Sequence, residues 1–102
     1  MDGTLQVRTG EISGSTSAKQ LTQTDGSGIS CRAVKIKAVG NNVGSVYVGY
    51  SSSVTTANGT SDQTTGWPLA PGEEQIFTVD NLNRLYIRCD NAGDDIVYIC
   101  FL

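Results

Sequence analysis

Residues Ile96–Leu102 read Ile-Val-Tyr-Ile-Cys-Phe-Leu, an unbroken apolar run directly behind the polar segment Asp90–Asp95. A short continuous run of this kind, bounded by turn residues, is the signature of a strand covered on both faces near the middle of a sheet. Ile99 sits at its centre, so a charge there is expected to abolish folding. A strand that needs cover on two sides obliges the rest of the chain to supply the layers.

The remainder supplies strands rather than helices. No window carries an apolar 3.6-residue period long enough for three helical turns, and Val, Ile and Tyr dominate the apolar content. In Cys31–Val39, Val34, Ile36 and Ala38 alternate with Lys35 and Lys37, which predicts one core face and one wet face. Ser45–Tyr50 follows a Gly40–Asn41–Asn42 turn signal, and the two strands read as a hairpin. Pro71–Gly72 fits the central positions of a type II turn ahead of a strand at Glu73–Val79. After a turn at Asp80–Asn83, Leu85, Ile87 and Cys89 alternate with Arg84, Tyr86 and Arg88. Short strands at spacings of about ten residues predict an all-β fold, a small antiparallel β-sandwich of seven to eight strands with the jelly roll among its variants.

Residues 1–30 are poor in large apolar groups. They are expected to form a polar N-terminal arm with one or two short strands, at Thr4–Arg8 and Lys19–Thr22, either flexible or ordered against a neighbouring subunit. Residues 31–102 form the sandwich domain. Ser51–Gly66 is a long polar segment with a turn signal at Asn58–Gly59, and it is read as a surface loop or a short edge strand near Val54.

Composition excludes several function classes. The net charge is −3, and seven cationic residues are scattered along the chain, which argues against nucleic acid as a partner. No apolar segment approaches a membrane span, and no secretory signal is visible, so no membrane partner is expected. The chain has no His, and Glu73 and Glu74 are adjacent, so on a strand they face opposite ways. No acid–base constellation emerges, and the chain is read as a non-enzyme without catalytic residues or cofactors. Cys31, Cys89 and Cys100 show no metal spacing and are read as free, mostly buried thiols. The acidic turn Asp90–Asp95 carries oxygen ligands suited to calcium, but its Asp, Asn and Gly are explained by turn chemistry alone, so no metal site is assigned.

From residue 31 onward the order of motifs is itself informative. The chain contains AVKIKA at 33–38, GSVYVGYSSSVT at 44–55, WPLAPGEE at 67–74 and VDNLNRLYIRCDNAGDDIVYI at 79–99, with SAKQLT upstream at 17–22. This order resembles a family of small virion structural proteins of tailed bacteriophages, the capsid decoration, cement and head-fibre proteins. The resemblance implies a β-sandwich made in the host bacterial cytoplasm and seated on the capsid surface. It implies the major capsid protein as partner and a homo-oligomer, with a trimer favoured. The implied work is to bridge capsid subunits and stabilise the expanded shell, since a protein that binds only the assembled shell shifts the equilibrium toward it. The alternative is a head-fibre or tail-tip adhesion module that binds a host-surface glycan or receptor.

The residues expected to meet partners are Leu5 and Val7 in the arm, Leu21, Val54 in the polar loop, Trp67, and Phe101 and Leu102 at the last strand. For Trp67 core packing is the favoured role. Exposure would instead make it an interface anchor or a sugar-stacking platform.

Overall fold

The computed structural model describes residues 6–55 and 66–102. Leu5, the Asn58–Gly59 turn and most of the Ser51–Gly66 loop lie outside the described residues.

Eight strands are formed: β1 (Val7–Ser13), β2 (Lys19–Gln20), β3 (Ala33–Ala38), β4 (Val46–Gly49), β5 (Trp67–Leu69), β6 (Glu74–Phe77), β7 (Tyr86–Cys89) and β8 (Asp95–Phe101). They make two four-stranded sheets, one in the order β1-β8-β3-β6 and the other in the order β2-β7-β4-β5. Every pairing is antiparallel. The first strand pairs with the eighth, the second with the seventh, the third with the sixth and the fourth with the fifth. That nesting is one long hairpin rolled onto itself, the eight-stranded jelly roll.

The expected hairpin between the strands on either side of Gly40–Asn42 does not form, because β3 and β4 lie in opposite sheets. The connection is an arch held from outside. The Asp94 carboxylate is buried beneath it and accepts the Val43 amide at 2.9 Å and the Gly44 amide at 3.0 Å. Asn42 adds a reciprocal pair with the backbone of Asp95, each bond 2.9 Å. The Asp, Asn and Gly that signalled a turn therefore carry the chain from one sheet to the other. The turn after β5 follows the sequence reading: Glu73 N donates to Ala70 O at 2.9 Å, and Gly72 takes φ +86.

The core lies between the sheets, filled by the inward residues of each alternating strand. Val34 and Ile36 of β3, Ile87 of β7 and Ile96 of β8 are fully buried. Leu82 opens a 3-10 turn over Leu82–Arg84 and closes one end of the core, while Asn81 caps that turn by accepting the Asn83 amide.

Residues 6–30 do not wait for a neighbour. β1 pairs with β8 along its whole length, from Val7 opposite Phe101 to Ser13 opposite Asp95. It contributes Ile12 to the core, and Leu21 and Ile29 follow it inward. The expected strand at Thr4–Arg8 begins instead at Val7, and that at Lys19–Thr22 is limited to Lys19–Gln20. β8 is indeed interior to its sheet, between β1 and β3, yet only one of its faces is covered. Ile96, Tyr98 and Cys100 are buried, whereas Val97 is exposed and Ile99 and Phe101 are half-buried.

Candidate functional site

The outer faces of the two sheets differ. On the β2-β7-β4-β5 sheet, Tyr47 points outward from β4 but is buried, because the chain folds Val54 and Gly66 over it. A Cβ on Gly66 would stand 2.6 Å from the Tyr47 Cβ, so only glycine lets the chain lie this close. Burial, with the Asp90 carboxylate nearby, pushes the Tyr47 phenol above its ordinary range.

On the β1-β8-β3-β6 sheet the outer face is open among the described residues. Strand register sets its side chains in rows. Val7, Phe101 and Ala33 form one row; Thr9, Ile99, Lys35 and Ile76 the next; Glu11, Val97, Lys37 and Glu74 the third. Val7, Ile76 and Val97 are 43%, 51% and 37% exposed. Lys35 bonds Glu74 at 2.7 Å, and this bond holds the Glu74 carboxyl below the usual carboxylate range. The result is an apolar strip down β8 with charges on its flanks.

The second exposed feature is Trp67. It lies opposite Val48 and so leans toward the core side, but β5 is an edge strand and the indole hangs past the rim, 56% exposed. Leu69, two residues on, takes the buried place that core packing of Trp67 would have filled. The indole borders a cleft of about 570 Å³ between β5 and β6, lined also by Pro68, Gly72, Glu73 and Gln75. Glu73 is already committed, its Oε1 accepting the Ala70 amide at 2.7 Å.

At the opposite open edge, between β1 and β2, lies a more polar cleft of about 570 Å³ bordered by Glu11, Lys19, Gln23 and Tyr98. It is spanned by side chains that stitch the sheets together. Lys19 Nζ donates to Ser13 O at 2.8 Å, and Arg8 Nη2 donates to Gln23 Oε1.

Of the residues expected at an interface, the structure leaves Val7 and Trp67 exposed and Phe101 half-covered on the open face. Leu102 packs against the core while partly exposed. Leu21 and Val54 are corrected. Both are buried within the chain, Leu21 because its amide extends the ladder to Leu85 O at 2.9 Å with the side chain inward, Val54 because it packs beside Gly66 where that residue lies against Tyr47. Leu5 lies outside the described residues. Ile76, Val97 and Ile99 were missed. The signal for them was present in Lys35 and Lys37, which mark the outer face of β3 as wet and hence that of the adjacent β8 as open.

Chemically these surfaces offer contact area and stacking. No group of three or more potential metal ligands occurs among the described residues, and the three thiols are free. Comparison with protein-family models, curated proteins and solved structures gives no match.

Proposed function

We propose that the chain is a structural protein of a bacteriophage particle, a decoration or cement protein that binds the major capsid protein and stabilises the expanded shell. The observation that carries this reading is the exposed Trp67, held on a short strand and a type II turn at the rim of a rigid sandwich. Tryptophan is among the residues most enriched at the hot spots of protein interfaces. The motif order from AVKIKA to VDNLNRLYIRCDNAGDDIVYI supplies the particle. The jelly roll agrees with it, since that fold builds viral capsid domains, but it also builds lectins and does not choose between them. The protein works by binding, without catalysis, on the capsid surface.

The second reading, a glycan-binding adhesion module, is favoured by the same indole lying beside Gln75 in a cleft. Co-sedimentation separates the two. Purified protein is mixed with empty expanded capsids from the parent phage, with isolated tails as control. Saturable binding to shells at a fixed ratio to the major capsid protein, weakened at least about tenfold by Trp67→Ala, is the expected result. Binding to tails alone, or to neither, transfers the assignment to adhesion, and a glycan screen then becomes decisive.

A further inference from the structure

The open face of the β1-β8-β3-β6 sheet carries a charge order that selects its partner. Glu11 on β1 and Lys37 on β3 stand in one row, on either side of Val97 of β8. Two strand spacings separate them by roughly 10 Å, too far for an ion pair within the chain. Glu11 has no salt-bridge partner among the described residues, and Lys37 feels Glu74, opposite it on β6, only at longer range than an ion pair, since Glu74 is held by Lys35. Between them runs the apolar strip of Val97, Ile99 and Phe101.

We infer that this face packs against the same face of a second copy of the chain, about a twofold axis parallel to β8. Such an axis exchanges the two sides of the strip and keeps each row level. β1 of one copy then lies over β3 of the other. Glu11 meets the partner's Lys37 and Lys37 meets the partner's Glu11. Val7 meets Ala33, and the β8 strip meets itself. An isologous contact repeats every pairing, so two ion pairs flank one apolar seam. Two other in-plane twofold axes, both across the strands, fail on charge. An axis across the strands through the Val97 row sets Glu11 against Glu11 and Lys37 against Lys37. One through the Ile99 row sets Glu11 on Val7 and Lys37 on Ala33, leaving both charges desolvated and unpaired. Two sheets packed with strands nearly aligned is also the common arrangement of β-sandwiches. The inference stands on the charge order of this face, independently of the capsid reading.

Three strands make a small interface of the weak, transient class. Sedimentation equilibrium of the full chain spans dissociation constants from about 10 µM to about 1 mM. The wild type is expected to follow a monomer–dimer equilibrium. Glu11→Lys alone and Lys37→Glu alone each set like charges face to face and should weaken association at least about tenfold. An equimolar mixture of these two variants should dimerise again, because the heterodimer restores opposite charges at both contacts. Circular dichroism checks that each variant is folded, as expected for exposed positions. A wild type that stays monomeric to about 1 mM, or forms trimers, overturns the inference. So does a mixture that associates no better than its components.

Discussion

The Tyr98 ring lies across Gly10, its directly opposed neighbour in β1, so closely that a Cβ on Gly10 would stand 2.6 Å from the phenol Cζ. The glycine leaves room for an aromatic that covers the strand backbone at the open edge of the sandwich. Gly14, one residue beyond β1, is tighter: a Cβ there would overlap the Asp94 carbonyl oxygen and Cys89 Sγ. The Tyr98 side chain, though buried, borders the cleft between β1 and β2 and can shift toward it, whereas a backbone carbonyl cannot. Gly10→Ala should therefore cost about 1 kcal/mol and Gly14→Ala about 3 kcal/mol. Urea denaturation measures both, and equal costs would contradict this account of the two contacts.

The two isoleucines of β8 give opposite outcomes. Ile96 is fully buried between the sheets, whereas Ile99 sits on the open face beside Lys35. Ile96→Asp places a charge in the core and exceeds the margin of a small domain, so no cooperative unfolding transition should remain. Ile99→Asp should remain folded, losing about 1–2 kcal/mol of partial burial and strand preference. Thermal melts of the two variants decide the matter. Loss of folding in Ile99→Asp would restore the expectation of a strand covered on both sides.

The strands themselves were legible because alternation is local: AVKIKA and LYIRC each state which residues face inward. The partnership of strands was not, because a jelly roll pairs the first strand with the last and its arches resemble hairpin turns from within. Asp94 illustrates the gap. Its residue type signals a turn, while its part in anchoring Val43 and Gly44 depends on a contact fifty residues away. The site was half legible for a related reason. An apolar run such as IVYICF does not say how many of its faces are covered; that depends on whether a second layer exists, which only Lys35, Lys37 and Glu11 on neighbouring strands hint at. Trp67 was named for an interface, but its exposure runs against the core role the sequence favours, because an inward-pointing side chain at an edge strand overhangs the core.

The placement of β1 reverses the expectation for the N-terminal thirty residues. Read as an arm, they would be dispensable for folding. In the structure their removal uncovers one edge of β8 and takes Ile12, Leu21 and Ile29 from the core. Each of these side chains is worth about 2 kcal/mol of burial, so the sum approaches the whole stability of a small domain. A chain beginning at Cys31 should be unfolded or aggregated by circular dichroism and gel filtration. A monodisperse, cooperatively melting fragment would return these residues to the status of an arm.

Cys100 ties stability to alkaline pH. Its side chain is buried opposite Val34 in the core, and burial, with the Cys31 thiol alongside, pushes its pKa from the ordinary 9.0 up to about 12. The folded chain thus keeps a proton that the unfolded chain has released, and where the folded state binds more protons, stability falls as pH rises. The contribution is intact below about pH 9 and is lost progressively toward about pH 12. Burial raises Cys89 and Tyr98 in the same direction, so Cys100 accounts for part of the slope. Cys100→Ala lowers the melting temperature everywhere by opening a cavity. Its diagnostic effect is a shallower decline of melting temperature between pH 9 and 11 than the wild type shows. Parallel declines would mean that the thiol ionises as readily in the folded chain as in the unfolded one, and that its burial carries no electrostatic consequence.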